Sequence, residues 1–262
     1  MNSESKSPIP TPQPPTHAMI LAAGEGTRLR PLTLKTPKPL LPINGTPLIE
    51  ITLYWLKSYG ISDVAVNLYH LGDQIKEYMG DGSQLGMKII YSEEETLLGT
   101  AGGVKKVEDF FDGTFIIFYG DTLTDFDLSE MIQLHRDKKA SVTIALFEPV
   151  DPSQYGIVNM DEAGRIHGFI EKPKSPIPGL KPPLLANVGV YVIEKEVLDY
   201  APQTGFSDFG YDIFPQLIDA NVPIYGYPLK SEDYFIDTGN IEKYEQANAD
   251  MKAGKVRIER GT

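Results

Sequence analysis

The sequence predicts an α/β fold with three layers (α/β/α), in which helices cover both faces of a mostly parallel sheet. In the first half of the chain, short apolar runs of strand length alternate with amphipathic runs of helix length. This alternation is typical of parallel strands joined by helical crossovers. In the second half, the apolar runs are shorter and a turn-rich segment separates two of them, which favours a smaller antiparallel part.

The elements of the first half follow from their periodicity and from the residues that end them. Leu48, Ile51 and Leu56 supply apolar surface to one predicted helix, and Gly60 ends it. The run FIIFY, between turn residues, predicts a buried strand. The predicted strands cover residues 19–23, 63–67, 87–91, 114–119 and 141–147, and the predicted helices cover 47–59, 73–79, 101–110 and 128–138.

In the second half, an Asp-Glu-Ala-Gly turn between two short apolar runs predicts a β-hairpin with strands at 156–160 and 165–171. A proline-rich loop is predicted at 175–183. Asn240 is expected to cap a closing helix over 240–252, because its side-chain oxygen can accept a hydrogen bond from the first helical turn. The remaining predictions are strands at 184–193, 222–227 and 233–236 and a helix at 211–219.

Composition narrows the class of protein. With 262 residues and 41% apolar content, the chain can build one large domain or two small ones without disulfides, and it contains no cysteine. The formal charge of −12 argues against a nucleic-acid partner, since phosphate backbones require a basic surface. No apolar run approaches the ~20 residues that span a bilayer, and no signal peptide is visible, so we expect a cytoplasmic protein. The Ser- and Pro-rich residues 1–16 predict a disordered tail.

The stretch from Met19 to Pro42 reads MILAAGEGTRLRPLTLKTPKPLLP and carries the strongest functional signal. An apolar run enters a Gly-Glu-Gly turn, and Arg28 and Lys38 follow among four prolines. Glycines let a backbone approach phosphates closely, and arginine and lysine bind phosphate oxygens. A dinucleotide fingerprint is excluded because Leu29 stands where its third glycine would be, and no Walker Gly-Lys-Ser/Thr follows the turn. The stretch therefore predicts a site for a nucleoside triphosphate.

One aspartate is a candidate metal ligand. Asp121 follows the predicted strand 114–119, and the carboxyl ends of parallel strands line the ligand crevice of such sheets. A second acid, Asp237, lies in YFIDTGN, ahead of the closing helix. Carboxylates suit Mg²⁺, which takes few protein ligands and completes its shell with water and phosphate oxygens. From the residues alone, a turn or helix-capping role for Asp121 and a helix N-terminal role for Asp237 remain alternatives.

The N-terminal stretch resembles the signature of the sugar-phosphate nucleotidyltransferases, which reads G-x-G-T-R-L-x-P-L-T followed by P-K-P-L-L-P. Here the two parts stand at residues 24–33 and 37–42, and five motif blocks follow the family's order from Met19 to about Ala247. The resemblance implies a Rossmann-like sheet in a nucleotidyltransferase domain over residues 17–262. It implies a nucleotide-binding part at about 17–150, a sugar-phosphate-binding part at about 151–240, and a helix closing the domain, with no C-terminal β-helix.

The resemblance also implies the site. Asp121 and Asp237 match the family's Mg²⁺ ligands, although Phe235 replaces the family's tryptophan near the second acid. Lys172, in Glu-Lys-Pro, matches the lysine that contacts the phosphate of the sugar 1-phosphate. The implied catalytic residues are Arg28, Lys38, Asp121, Lys172 and Asp237. The implied nucleotide-binding residues are Leu21, Ala22, Ala23, Gly24, Gly26, Thr27, Arg28, Lys38, Gly99 and Thr100, and the implied sugar-phosphate-binding residues are Gly156, Glu171, Lys172 and Asn187.

The implied reaction joins a nucleoside triphosphate to a sugar 1-phosphate and releases pyrophosphate. The signature, with a Gly-Thr-Ala-Gly loop at 99–102, is most similar to those of mannose-1-phosphate guanylyltransferases, which predicts GTP and mannose 1-phosphate. Glucose-1-phosphate thymidylyl- or uridylyltransfer, and another hexose, heptose or phosphocholine acceptor, are alternatives. An alternative of another class is a non-catalytic regulatory subunit that binds nucleotide sugars. Self-association is left open by the sequence.

Overall fold

The computed structural model of the chain describes residues 15–175 and 183–258. The tail predicted at 1–16 and the loop predicted at 175–183 lie largely outside these residues. The strands are β1 (His17–Leu21), β2 (Pro42–Ile43), β3 (Thr46–Pro47), β4 (Asp63–Leu68), β5 (Lys88–Glu93), β6 (Phe115–Tyr119), β7 (Thr122–Thr124), β8 (Val142–Phe147), β9 (Gly156–Met160), β10 (Ile166–Glu171), β11 (Leu185–Ile193), β12 (Ile224–Pro228) and β13 (Phe235–Asp237). The α-helices are α1 (Leu48–Ser58), α2 (Gly72–Met79), α3 (Gly99–Lys105), α4 (Leu128–Lys138), α5 (Phe214–Asp219) and α6 (Ile241–Lys252).

A nine-stranded sheet forms the middle layer. Strands β5, β4, β1 and β6 lie side by side in that order and run parallel. Beyond β6, β11 adds in the antiparallel direction, β8 pairs antiparallel with β11, and β12 pairs parallel with β8. The hairpin of β9 and β10 joins the start of β11 at Leu185 and Ala186. The predicted combination of a parallel sheet with a smaller antiparallel part is confirmed.

The side chains of β1 alternate between the two faces of the sheet, as the period of two requires. Ala18 and Ile20 pack into one buried cluster, and Met19 packs into a second cluster on the opposite face. Each large apolar side chain buried in this way contributes about 1.5–3 kcal/mol. The first cluster includes Trp55 of α1, Ile75 of α2 and Met131 of α4, and the second includes Val104 of α3 and Leu217 of α5. Helices therefore cover both faces of the sheet, which gives the three predicted layers.

Two predicted helices begin or end differently in the structure. The helix predicted at 101–110 is α3, which starts at Gly99, ends at Lys105 and is followed by a 3₁₀ turn at Glu108–Phe110. The helix predicted at 211–219 consists in the structure of a π-helical turn at Phe209–Ile213 followed by α5 at Phe214–Asp219. That turn starts early because the carboxylate of Asp208 accepts hydrogen bonds from the backbone N–H groups that open it.

A two-stranded antiparallel sheet of β7 and β13 joins the two halves of the chain. The strand predicted at 233–236 corresponds to β13, whereas β7 has no counterpart among the predicted strands. Its register places Asp237 opposite Thr122, the residue after Asp121. Helix α6 follows, and the predicted cap is confirmed, since Oδ1 of Asn240 accepts from the backbone N–H of Lys243 at 2.9 Å.

No helix in the described parts of the chain is long and apolar enough to cross a bilayer.

Candidate active site

Two adjoining pockets open beyond the carboxyl ends of the central parallel strands. The first, here called the glycine-loop pocket, is lined by Gly24 and Gly26 together with the ends of β1, β4 and β6. The second, the hairpin pocket, is lined by Gly156 and Glu171 of the β9–β10 hairpin. The residues that line both pockets are Arg28, Thr100, Tyr119, Asp121 and Asp208. The pockets are therefore two halves of one cleft.

The glycine loop is held in one conformation. Gly26 has a φ of +62°, which favours glycine, and a Cβ at this position would lie 2.9 Å from Cγ2 of Thr33. The hydroxyl of Thr33 donates a hydrogen bond to the Gly26 carbonyl at 2.8 Å. Arg28 follows in a 3₁₀ turn at Thr27–Leu29, so the loop delivers this cation to the cleft.

A chain of buried hydrogen bonds supports the floor of the glycine-loop pocket. The backbone N–H of Ala22 donates to Oδ1 of Asn67 at 2.7 Å, and Nδ2 of Asn67 donates to Oε1 of Glu94 at 2.8 Å. The other oxygen of Glu94 accepts from the N–H of Leu98 at 2.9 Å. This chain ties the ends of β1 and β4 to the residues that follow β5 and precede α3.

The start of α3 is packed tightly against the segment at 207–208. Gly99 has a φ of +77°, and a Cβ there would lie 2.4 Å from the carbonyl oxygen of Ser207. That carbonyl also accepts from the N–H of Ala101 at 2.9 Å. The hydroxyl of Thr100 donates to Asp208 at 2.8 Å, which brings the two segments together on the wall shared by both pockets.

Asp121 stands where the two pockets meet, directly after β6 and Gly120. Its carboxylate is paired with Lys38, whose Nζ lies 2.7 Å from Oδ2. Burial raises the pKa of Asp121. The charge and hydrogen bond of Lys38 and the nearby charge of Arg28 lower it by a larger amount, so the pKa lies below its ordinary value. Asp121 is therefore ionised at neutral pH.

Asp237 lies beside Asp121 because the short sheet of β7 and β13 aligns them. The backbone N–H and the hydroxyl of Thr238 both donate to the carbonyl of Asp121, at 2.8 and 3.0 Å. A Cβ on Gly239 would lie 2.8 Å from the guanidinium of Arg28. The absence of a side chain at Gly239 thus leaves room for the guanidinium of Arg28 beside the backbone that follows Asp237.

On the hairpin side of the hairpin pocket, Glu171 and Lys172 form an ion pair. Lys172 follows β10 with a φ of +46°, an uncommon conformation for a residue with a side chain, and its Nζ lies 3.1 Å from Glu171. A Cβ on Gly156 or Gly210 would approach Oε2 of Glu171 to 2.5 or 2.8 Å. Two glycines therefore make room for this carboxylate.

Asn187 lines the hairpin pocket, but most of its hydrogen-bonding capacity is used within the protein. Its Oδ1 accepts from the N–H of Gly189 at 2.8 Å, and its Nδ2 donates to the hydroxyl of Tyr191 at 2.7 Å. One N–H of the amide is left to meet a ligand. The expectation that Asn187 is a sugar-phosphate-binding residue stays a prediction.

The two neighbouring aspartates fit a magnesium ion. Carboxylate oxygens are hard donors, and Mg²⁺ commonly takes one or two of them and completes its shell with water and phosphate oxygens. Within residues 15–175 and 183–258 there is no group of three or more acidic, histidine or cysteine side chains that could hold a metal. A site with Asp121 and Asp237 alone therefore suits a cation that also binds phosphates.

The structure brings all the sequence-predicted site residues to this cleft. Leu21, Ala22, Ala23, Gly24, Gly26, Thr27, Arg28, Lys38, Gly99 and Thr100 line the glycine-loop pocket, and Gly156, Glu171, Lys172, Asn187 and Asp237 line the hairpin pocket. Their roles toward ligands stay predictions. Sequence reasoning did not single out Asn67, Glu94, Asp208 and Lys243, which also line the cleft. A weak signal existed for Lys243, which lies on the closing helix just after Asp237.

Comparison with known proteins identifies the family to which this chain belongs. The chain is a member of the Nucleotidyl transferase family, whose sequence profile matches residues 17–254. It is 40% identical over 246 residues to the UTP–glucose-1-phosphate uridylyltransferase of Synechocystis sp., covering 88% of this chain and 62% of the relative. It is 37% identical over 239 residues to the mannose-1-phosphate guanylyltransferase of Mycobacterium tuberculosis, covering 90% of this chain and 65% of the relative.

A third relative is similar in length to this chain. The D-glycero-alpha-D-manno-heptose 1-phosphate guanylyltransferase of Campylobacter jejuni is 36% identical over 233 residues, covering 87% of this chain and 96% of the relative. The chain thus spans less than two thirds of the Synechocystis and Mycobacterium relatives and nearly all of this one.

Solved structures share the fold over nearly the whole chain. A Bacillus anthracis protein, described as a glucose-1-phosphate thymidylyltransferase and crystallised with sucrose, superposes with a TM-score of 0.80 at 26% identity, covering 94% of this chain and 97% of its own. HddC from Yersinia pseudotuberculosis, complexed with GMP-PN, superposes with a TM-score of 0.74 at 25% identity, covering 90% of this chain and 99% of its own.

Proposed function

We propose that this chain transfers a nucleotidyl group from a nucleoside triphosphate to a sugar 1-phosphate. One observation supports this most directly: the glycine-loop pocket and the hairpin pocket meet at Arg28 and Asp121, with Asp237 alongside. A reaction between two phosphorylated substrates needs two binding pockets and a shared boundary rich in charge. The glycine-loop pocket takes the triphosphate, and the hairpin pocket takes the sugar 1-phosphate.

The chemistry is a displacement at phosphorus. A phosphate oxygen of the sugar 1-phosphate attacks the α-phosphorus of the nucleoside triphosphate. The bond from that phosphorus to the oxygen that bridges the α- and β-phosphates breaks, and pyrophosphate leaves. No nucleophilic side chain is required, because the acceptor is itself an anion. Catalysis then rests on positioning the reactants in line and on neutralising their charge.

The cations of the cleft divide this work. Arg28 lies against Gly239 at the boundary of the pockets and stabilises the charge that develops on the leaving pyrophosphate. Lys38 binds the triphosphate from the glycine-loop side. Lys172 binds the incoming sugar phosphate, since two phosphate groups repel unless a cation stands between them.

Asp121 and Asp237 would hold Mg²⁺, and the bound ion neutralises charge on the phosphates. The net downward shift in the pKa of Asp121 keeps that carboxylate ionised for this purpose. Both acids come from segments that only the fold brings together, which ties the ligand pair to the folded state.

For the substrates we propose GTP and mannose 1-phosphate, on the form of the N-terminal signature and the Mycobacterium relative. UTP and glucose 1-phosphate are the second candidate, favoured by the 40% identity to the Synechocystis relative. We also propose a cytoplasmic location, which the absence of cysteine fits.

The test is a pyrophosphate-release screen of the wild type with Mg²⁺. It crosses ATP, GTP, CTP, UTP and dTTP with mannose, glucose and heptose 1-phosphates and with phosphocholine. We expect one nucleotide–sugar pair to exceed the others in kcat/KM and to give the corresponding nucleotide sugar by mass. Turnover with phosphocholine and with no sugar 1-phosphate would show that the acceptor is phosphocholine and not a sugar. Binding of nucleotide sugars with no turnover of any pair would overturn the proposal in favour of a regulatory subunit.

A further inference from the structure

Lys243 lies in the first turn of α6 and reaches into the hairpin pocket. Its amino group donates hydrogen bonds to the carboxylate of Asp237 and to the hydroxyl of Tyr155. That hydroxyl in turn donates to Oδ2 of Asp237 at 2.6 Å. The ammonium of Lys243 thus lies on one oxygen of Asp237, where it competes with any divalent cation for that carboxylate.

The same arrangement exists at the other acid. Lys38 pairs with Asp121 at 2.7 Å, so each of the two neighbouring carboxylates carries one lysine. A divalent cation on both carboxylates would compete with the two ammonium groups, because like charges at such short separations repel. A lysine that the cation displaces then needs another anion.

Lys243 lies in the pocket that the proposed function assigns to the acceptor phosphate. Lys172, which follows β10, and Lys243 on α6 both line the hairpin pocket, so an anion bound there has two lysine cations in the same pocket. The Lys243 side chain lines this pocket and is 31% exposed, so its ammonium group is accessible to an anion bound there. Burial lowers the pKa of Lys243. Its contacts with Asp237 and Tyr155 raise the pKa by a larger amount, so the amino group keeps its charge.

We propose that Lys243 is a counter-ion that exchanges partners during binding: it neutralises Asp237 in the free protein and moves to the phosphate of the acceptor when a divalent cation takes Asp237. This inference rests on the proposed function for the identity of the acceptor, a sugar 1-phosphate. It makes Lys243 both a competitor of the metal and a second phosphate-binding cation. These two effects have opposite signs on removal of the lysine, which separates the proposal from a structural role.

The test compares Lys243→Met and Lys243→Arg with the wild type. The control is Lys252→Met, which removes an exposed lysine from the last turn of the same helix. Binding of Mn²⁺ to the substrate-free proteins is followed by the electron paramagnetic resonance of the unbound ion. We expect Lys243→Met to bind Mn²⁺ several-fold more tightly, on the order of fivefold, because a competing ion pair is lost. Lys243→Arg and Lys252→Met should bind like the wild type.

The second measurement is steady-state kinetics with the best substrate pair. In Lys243→Met we expect KM for the acceptor to rise at least about tenfold, the scale of one hydrogen bond to a charged group, with little change in KM for the nucleotide. Lys243→Arg should recover most of the loss. Melting temperatures identify any variant that is misfolded. If Lys243→Met is misfolded, Lys243→Gln takes its place in both measurements with the same expected results, and Mn²⁺ binding by Lys243→Arg tighter than that of the wild type would contradict the proposal.

The outcomes separate this inference from the proposed function. Unchanged or weaker Mn²⁺ binding by folded Lys243→Met, or an unchanged acceptor KM in an active enzyme, overturns the exchange. Tighter Mn²⁺ binding by Lys243→Met in a protein with no transferase activity supports the exchange while the proposed function fails.

Discussion

Asp121 keeps a negative charge in a partly buried place because Lys38 and Arg28 stand beside it. The desolvation that raises its pKa is outweighed by these two cations. The carboxylate is therefore ready for a metal without any proton leaving first. The backbone of Asp121 also holds the segment after β13 in place, since its carbonyl accepts both hydrogen bonds from Thr238.

Replacing Asp121 by Asn removes one negative charge at the boundary of the two pockets and leaves the backbone contacts to Thr238 in place. We expect kcat with the best substrate pair to fall roughly 10²–10³-fold, the scale of losing a key electrostatic group. The melting temperature should change little. Steady-state kinetics and thermal unfolding measure both, with Asp73→Asn, at a 94% exposed aspartate of α2, as the control. Near-normal turnover would rule out Asp121 as a metal ligand.

At the scale of elements, the start of α3 depends on one glycine. Gly99 has a φ of +77° and lies so close to Ser207 that a Cβ would collide with its carbonyl oxygen. Gly113, in the loop before β6, has a φ of +78°, but a Cβ there would meet no other atom within 4 Å. The two glycines therefore share a backbone conformation and differ in their surroundings.

Replacing each of these glycines by Ala separates strain from collision. Gly113→Ala should lower the free energy of unfolding by about 1–2 kcal/mol, the cost of a side chain in the left-handed region. Gly99→Ala should lower it by about 2–5 kcal/mol, because a backbone collision is added. Gly99→Ala should also weaken nucleotide binding, since Thr100 and Asp208 shift with the helix. Urea denaturation and nucleotide titration measure these effects, and equal losses from the two substitutions would contradict the collision.

The elements also show what sequence can and cannot predict. Arg28, Lys38 and Asp121 could be found because each lies in a contiguous motif or directly after a strongly apolar strand. The strand β7 was missed because three residues between two aspartates give no period to recognise. Asp208 was missed because its role depends on Thr100, which lies 108 residues earlier and meets it only in the folded chain. Local pattern predicts elements, whereas contacts between distant irregular segments require the fold.

At the scale of the whole molecule, Glu194 joins three parts of the fold. Its carboxylate accepts a hydrogen bond from Thr114, just before β6, at 2.7 Å, and lies 3.0 Å from Nε2 of His135 on α4. It follows β11 directly. The contact with His135 is the largest cause of a lowered pKa for Glu194, which burial partly opposes. A carboxylate with a lowered pKa in the folded state stabilises that state above its unfolded pKa and loses this contribution as the pH falls through the folded value.

The wild type should therefore lose more stability than Glu194→Gln when the pH is lowered from neutral to below the ordinary glutamate pKa of 4.5. Urea denaturation at a series of pH values measures the difference, and Glu196→Gln, at a neighbouring exposed position, should follow the wild type. Parallel pH profiles for the wild type and Glu194→Gln would show that this carboxylate does not couple folding to protonation.

The short sheet of β7 and β13 has a further consequence for the order in which the molecule is made. The ribosome synthesises Asp121 and the glycine loop well before Asp237, and early segments of a nascent chain can fold first. Until β13 emerges, the growing chain displays the glycine loop and Asp121 without Asp237. A chain that stalls or is cleaved before Phe235 would keep the N-terminal signature and lack the second of the two proposed metal ligands.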